Sequence, residues 1–203
     1  MATPRIIYHD MFMELPILAG VDNGYRRDIL LRTQQLFADM TNHHYSVFFI
    51  RMDIRFPQYL RYPLDNRMIQ TFTDRIVAHF DRLSVEHAFL WVREQSRDDG
   101  QQHYHFFFLL NGSCSQSAYG LLKKANQLWA HVLGITDGHG LVHLCEWCES
   151  DLARNGGVMI RRNSADYEEA YRLCFHRASY LSKTATKGNA PPNVREFSSS
   201  HLA

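Results

Sequence analysis

Several features are scarce in this 203-residue chain, and each scarcity excludes a class of protein. Four cysteines are too few for a disulfide-rich scaffold, and no apolar run approaches the roughly 20 residues that a membrane span needs. The start of the chain lacks the basic and then apolar segments of a secretory signal. The net charge is only +1, whereas proteins that bind duplex DNA are often strongly basic. We therefore expect a cytoplasmic protein with reduced thiols and no membrane contact.

Apolar and aromatic residues, by contrast, are plentiful. Apolar residues make up 45% of the chain, and 13 Phe, 10 Tyr and three Trp are among them. This content is sufficient for a real core and argues against a disordered chain. We expect a single domain over residues 1–203, with residues 1–23 as an extended lead-in and residues 188–203, which include Pro191-Pro192 and a serine run, as a loosely held tail.

Hydrophobic periodicity predicts a mixture of helices and strands. We expect helices over residues 25–40, 65–79, 117–133 and 166–183, and strands over residues 45–56, 88–95, 103–110, 141–144 and 158–161. The polar segment between the second and third strands contains Asp99-Gly100, a turn signal, which predicts an antiparallel hairpin. Together these elements indicate an α+β domain. It would have an antiparallel sheet of about five strands, ferredoxin-like or RRM-like, with helices mainly on one face.

The run His103-Tyr104-His105 is the sharpest chemical feature of the sequence. Residues two apart on a strand point to the same face, so both imidazoles would project together and suit metal capture. Glu94 ends the partner strand of the predicted hairpin and would lie next to both histidines. Two imidazoles and a carboxylate leave coordination positions for substrate oxygens and water. Taken alone, in a chain with twelve histidines, the pair is equally consistent with two surface or hydrogen-bonded histidines.

Tyr180 and Lys183 form a second polar pair. They lie three residues apart on the predicted last helix and therefore share a face. Tyrosine is a poor nucleophile at its ordinary pKa of about 10, and a nearby cation or metal stabilises the phenolate. In isolation, a tyrosine and a lysine on an amphipathic helix are usually a core edge and a solvated charge.

The combination of these motifs resembles a known superfamily. A carboxylate, then H-x-H on the next strand, then Y-x-x-K on a later helix is similar to the HUH endonucleases. The segments FLWVREQ, HYHFFFLLNG and ASYLSKTATKGNAPPNVREFSSSHL resemble the inovirus replication-initiator family of filamentous phages and prophages, also called the YagK/YfjJ C-terminal domain family. The resemblance extends from about residue 45 to the end of the chain, and the closing run is its most specific part.

The resemblance implies a role for each motif. His103, His105 and Glu94 would hold one Mn²⁺ or Mg²⁺, and the two imidazoles favour Mn²⁺ because Mg²⁺ prefers oxygen ligands. Asp53 is a further candidate ligand on the central strand. Tyr180 and Lys183 would be catalytic, the first as the nucleophile on a DNA phosphate and the second as its neighbour beside that phosphate.

Four arginines are candidate contacts to the DNA backbone. Arg51 and Arg55 share a predicted sheet face with Asp53, whereas Arg161 and Arg162 form a charged pair at the end of another strand. Such charged pairs are usually solvated faces, so the first two are the better candidates.

The function implied by the resemblance is initiation of rolling-circle replication. The enzyme would nick and join single-stranded DNA through a 5′-phosphotyrosine at a single-stranded or hairpin origin. The reaction would take place in the cytoplasm of a bacterial host, whose helicase and polymerase would unwind and extend the DNA. Two alternatives stay open: a non-catalytic single-stranded DNA-binding regulator on the same sheet, and a metal-dependent phosphodiesterase that uses water and forms no covalent intermediate.

Overall fold

One antiparallel β-sheet lies at the centre of the fold. A computed structural model describes residues 5–18, 24–95, 100–145, 153–154 and 156–201. Its helices are α1 (Arg27–His43), α2 (Arg67–Arg82), α3 (Ala118–Leu133), α4 (Tyr167–Ser179) and a 3₁₀ turn at Tyr180–Ser182. Its strands are β1 (Ile6–Ile7), β2 (Met11–Phe12), β3 (Leu15–Pro16), β4 (Tyr25–Arg26), β5 (Ser46–Ile54), β6 (His87–Glu94), β7 (His103–Asn111), β8 (Val142–Leu144), β9 (Ala153–Arg154), β10 (Gly157–Arg161) and β11 (Phe197–Ser199).

The main sheet has the order β11-β6-β7-β5-β10-β9, and every pairing along it is antiparallel. Because β5 is nine residues long, two shorter strands share its second edge. Strand β10 pairs with residues 46–49 and β8 pairs with residues 52–54. The predicted hairpin of β6 and β7 is confirmed, although residues 96–99 at its turn lie outside the described residues.

Helices cover both faces of this sheet. On one face α2 and α3 pack against Phe48, Ile50, Met52, Phe106 and Phe108. On the other face α1 and α4 pack against Val47, Phe49, Leu90, Phe107 and Leu109. The α+β class is confirmed, but the expectation of helices mainly on one face is wrong.

The composition of β7 explains why helices cover both faces of the sheet. A strand with one face in water alternates apolar and polar residues, whereas a strand covered on both faces is a continuous apolar run. Residues Phe106, Phe107 and Phe108 of β7 are successive, and each is fully buried. The continuous aromatic run was therefore the sign of a three-layer arrangement.

The C-terminal tail is attached to the main sheet more firmly than the sequence predicts, whereas the N-terminal strands form two small sheets of their own. The tail over residues 188–203 is expected to be loosely held, yet β11 pairs with the outer edge of β6. In the lead-in β2 forms a hairpin with β3, and β1 pairs with β4, which follows the lead-in; residues 1–4 and 19–23 lie outside the described residues. No described helix is long and apolar enough to span a membrane.

Candidate active site

The sheet face that packs against α1 and α4 changes from apolar to charged towards one end of its strands. On β5 the change begins at Arg51 and Asp53, and on β7 it begins at His105. The register pairs Glu94 with His103 and Asp53 with His105 across neighbouring strands. Three strands therefore bring five charged or titratable side chains to one end of one face.

Glu94, His103 and His105 form the tightest group at this end. One carboxylate oxygen of Glu94, Oε2, lies 3.4 Å from Nε2 of His105 and 3.7 Å from Nε2 of His103. One potential ligand atom from each residue lies within 4.8 Å of the other two. The side chains of Glu94 and His105 are 2% and 4% exposed, whereas that of His103 is 30% exposed. The group therefore opens towards solvent on the His103 side.

Asp53 contacts His105 but does not belong to this group. Its Oδ1 accepts a hydrogen bond of 2.5 Å from Nδ1 of His105. Burial alone would raise the pKa of Asp53, but this hydrogen bond and the charges of His105 and Arg51 outweigh it and lower the pKa to about 2. An ionised carboxylate can only accept, so Nδ1 of His105 carries a proton and Nε2 is the ring nitrogen that faces Glu94. Asp53 thus orients His105, and its place as a ligand is not supported.

The donor set fits a divalent transition-metal ion. Nε2 of His105 is buried and has no hydrogen-bond partner among the described residues. It faces Oε2 of Glu94 across 3.4 Å. A cation bound by both atoms would give this buried nitrogen a partner. The set of two imidazoles and one carboxylate, with an open side at His103, could hold a divalent metal ion.

Tyr180 and Lys183 lie directly over the group. Helix α4 ends at Ser179, earlier than predicted, and the chain continues as a 3₁₀ turn in which residues three apart are eclipsed. Nζ of Lys183 accordingly donates a hydrogen bond to the hydroxyl of Tyr180 and also lies 3.4 Å from Oε2 of Glu94. The Tyr180 ring lies 5.3 Å from the His105 ring and 4.1 Å from the guanidinium carbon of Arg51. The sequence motifs predicted on separate elements therefore meet.

The segment after the 3₁₀ turn adds two contacts that the sequence analysis missed. The hydroxyl of Thr186 donates to Oε2 of Glu94 at 2.6 Å, and Nζ of Lys187 donates to Oε1 at 3.0 Å. The Lys187 side chain is only 2% exposed, and it also donates to the carbonyl of Lys183. One short segment thus donates hydrogen bonds to both carboxylate oxygens of Glu94. A second lysine four residues after Lys183 was the available signal.

The ionisation of Glu94 and Lys187 follows from this contact. Burial would raise the pKa of Glu94, but the imidazoles of His103 and His105 and the charge of Lys187 hold it well below its usual range. Burial lowers the pKa of Lys187 to about 8, although Glu94 acts in the opposite direction. At neutral pH the buried pair is therefore a carboxylate and an ammonium ion.

Strand β4 fixes the position of this segment. Tyr25 and Lys183 form a β-bridge, and the backbone N–H of Thr184 donates to the carbonyl of Gly24 at 3.0 Å. Gly24 has a φ of +73°, and a Cβ there would lie 2.7 Å from Ile6 Cγ2 and from the Ile7 carbonyl oxygen. A glycine is therefore needed where the lead-in supports the lysine-bearing segment.

The four predicted DNA-contacting arginines separate into two pairs. Arg51 lies over Tyr180, and Arg55 is exposed at the same end of β5. Arg161 lies opposite Ser46 at the other end of β5, and Arg162 donates to the carbonyls of Thr41, Asn42 and His44 at the end of α1. The structure therefore brings only the first pair to the candidate site.

Comparison with protein families assigns the chain. The family model described as YagK/YfjJ C-terminal domain matches residues 9–200. The chain belongs to the YagK/YfjJ C-terminal domain family. A search of curated proteins finds no match. The matched region includes Glu94, His103 and His105 together with Asp53, Tyr180, Lys183 and Lys187, and it also includes β11.

Proposed function

We propose that the chain nicks and rejoins single-stranded DNA at a replication origin, as rolling-circle initiators of the HUH superfamily do. The observation that carries the proposal is the contact of the Tyr180 hydroxyl with Lys183, which in turn contacts Glu94 of the ligand set. A tyrosine nucleophile, a cation and a metal-ligand set are the parts that this chemistry requires. Membership of that superfamily, and likeness to its ferredoxin-like or RRM-like sheets, are parts of the same proposal.

Tyr180 is the nucleophile in this scheme. Lys183 and Arg51 place positive charge at its hydroxyl and ring, which stabilises the oxygen as its proton passes to solvent. That oxygen bonds to phosphorus, the bond from phosphorus to the 3′-oxygen breaks, and the 3′-oxygen takes up a proton from solvent. The products are a 5′-phosphotyrosine and a free 3′-hydroxyl. The reverse reaction rejoins the strand, because the phosphotyrosine bond replaces the broken phosphodiester bond.

The remaining residues bind and orient. Glu94, His103 and His105 would hold Mn²⁺ or Mg²⁺, which polarises the phosphate oxygens when bound. Asp53 keeps Nε2 of His105 directed at Glu94, and Lys187 with Thr186 fixes the Glu94 carboxylate. Arg55, exposed at the open end, is suited to contact the DNA backbone.

The product defines the partners in the proposal. A free 3′-hydroxyl is a primer when the complementary circular strand is intact, so a host polymerase would extend it and a host helicase would unwind the DNA ahead. The setting would be the cytoplasm of a bacterium that carries a filamentous phage or prophage. The substrate would be a single-stranded or hairpin origin.

A covalent-trapping assay tests this function. The protein is incubated with single-stranded oligonucleotides from its genomic neighbourhood, labelled at either end, with Mn²⁺ or with EDTA. We expect a metal-dependent protein adduct on the 3′ fragment, absent in Tyr180→Phe and retained in Tyr171→Phe, because Tyr171 packs against Phe37 in the core. Cleavage without an adduct would favour the water-using phosphodiesterase, and binding without cleavage would favour the regulator.

A further inference from the structure

A cavity of about 520 Å³ lies directly beside the candidate site and takes no part in the chemistry described so far. Its lining includes Arg55, Phe56, Leu60, Arg61, Gln101 and His103. His103 therefore belongs both to the ligand group and to the cavity wall, on the side where the group is open. A strand of DNA with its phosphate at the ligand group has this cavity as a neighbouring space.

The chemistry of the lining suits a nucleotide. Two arginines supply positive charge, and none of the described residues that line the cavity is acidic. Phe56 and Leu60 supply an apolar surface, and glutamine side chains supply hydrogen-bonding groups. A volume of several hundred Å³ with a few polar groups on apolar walls is typical of small-molecule sites. By contrast, the larger cavity at the opposite end of β6 is lined by Asp39, Asp81 and Glu86.

The walls are held by contacts that exist without a ligand. The Phe56 ring packs 4.9 Å from the Tyr62 ring and 5.1 Å from the Trp129 ring. The Gln102 side chain is buried and donates to the carbonyl of Pro63 at 2.9 Å, while its Oε1 accepts from Gln101. The cavity is therefore preformed and does not depend on closure around a ligand.

The position of Tyr180 determines which nucleotide the cavity would receive. Along the paired strands, Arg51 lies furthest in, then Asp53 opposite His105, then Arg55 and His103 at the open end. The Tyr180 ring contacts Arg51 and His105, whereas Arg55 and His103 line the cavity. In phosphoryl transfer the attacking and leaving oxygens lie roughly in line on opposite sides of phosphorus. If Tyr180 attacks from its own side of the ligand group, the leaving 3′-oxygen would lie on the side away from Tyr180, which is the side of Arg55 and His103.

We propose that this cavity binds the nucleotide immediately 5′ of the scissile phosphate, the one that keeps the 3′-hydroxyl after cleavage. The assignment rests on the proposed nicking function. It makes the cavity a determinant of origin sequence at that single position, because contacts to base edges specify sequence whereas phosphate contacts do not.

Sequencing of cleavage products tests the assignment. The protein, with Mn²⁺, cuts a single-stranded library randomised on both sides of a nick site found by adduct trapping, and the released 3′-hydroxyl fragments and the trapped 3′ fragments are sequenced. Leu60→Trp would fill the cavity, and Leu64→Trp is the matched control. Both leucines are about half exposed, at 48% and 40%, and Leu64 is not among the cavity-lining residues. A thermal shift with Mn²⁺ checks that each variant keeps its fold and metal site.

We expect Leu60→Trp to slow adduct formation about tenfold or to change the base preference immediately 5′ of the nick. The preference 3′ of the nick should stay as in the wild type, and Leu64→Trp should match the wild type throughout. An unchanged Leu60→Trp profile, or a change confined to the 3′ side, would overturn the cavity assignment and leave the nicking function standing. Absence of any adduct with the wild-type protein would contradict both the cavity assignment and the nicking function.

Discussion

The two faces of the main sheet are lined by similar apolar residues except at one end, where the face under α1 and α4 carries a group of charged side chains. The apolar residues stabilise the fold, and the charged end carries the proposed chemistry. The face under α2 and α3 is aromatic and aliphatic along the full length of β5 and β7, from Phe48 to Ile54 and from Leu110 to Tyr104. The face under α1 and α4 is equally apolar at first and then carries Arg51, Asp53 and His105. Buried charges cost free energy, so the grouping of Glu94 and His105 with Asp53 at one end of this face indicates function, whereas the other face carries the single buried arginine Arg93 on β6 among the described residues.

The largest effect that we predict lies on the apolar face. Phe108→Ala should lower the free energy of unfolding by about 3–5 kcal/mol, because it empties a fully buried position between Phe106 and Phe80. Denaturant titration measures this loss. Mn²⁺ should still raise the melting temperature of this variant. Loss of that metal response in the folded variant would show that the two faces are not separable.

Lys187→Met should have the next largest effect, at the charged end. Removing one partner of a buried ion pair leaves Glu94 with less compensation and should cost about 3 kcal/mol in EDTA. Mn²⁺ should restore part of this loss, since a bound cation supplies positive charge to the same carboxylate. Lys123→Met, an exposed position on α3, should change the free energy of unfolding by less than about 0.5 kcal/mol. Equal behaviour of the two variants would contradict the role given to Lys187.

Asp53→Asn should produce a smaller, pH-dependent effect. Because the pKa of Asp53 is about 2 in the folded protein against an ordinary 3.8, ionised Asp53 stabilises the fold. The difference corresponds to roughly 2 kcal/mol. Urea titrations of wild type and variant in EDTA should differ by this amount above about pH 4. The difference should vanish as the pH falls through 3.8 towards 2, and a gap independent of pH would refute this assignment.

Arg162→Ala should have the smallest effect and should affect stability alone. The Arg162 guanidinium donates to three carbonyl oxygens at the end of α1, which should be worth about 1 kcal/mol. Adduct formation should proceed at the wild-type rate, because the residue lies at the opposite end of β5 from the cluster. A loss of DNA binding in this variant would extend the interface along the sheet and weaken the contrast between its ends.

Local patterns in the sequence were sufficient to predict the elements and the ligand group. The β6–β7 hairpin and its register follow from two strands and a turn, so the neighbourhood of Glu94, His103 and His105 could be predicted. The second helical layer could not be predicted from alternation, because a run such as Phe106–Phe107–Phe108 has none. The role of Asp53 needed the side-chain geometry, since a ligand and a residue that orients a ligand occupy the same kind of strand position.

Non-local contacts account for what was missed. Lys187 follows the 3₁₀ turn by only a few residues, but its partner Glu94 is 93 positions away in the chain. The pairing of β11 with β6 likewise depends on an edge that only the folded sheet provides. Polar and proline-rich composition near residue 191 predicts irregular backbone, and it carries no information about where that backbone lies.

The nicking proposal requires that the charged end of the α1/α4 face binds a metal ion beside Tyr180. Crystals of the protein grown or soaked with Mn²⁺ and measured at the manganese edge would locate the ion directly. We expect one anomalous peak in coordination contact with Glu94, His103 and Nε2 of His105, and outside the reach of Asp53. Saturating Mn²⁺ with no peak between these three residues, or a peak coordinated elsewhere on the chain, would contradict it.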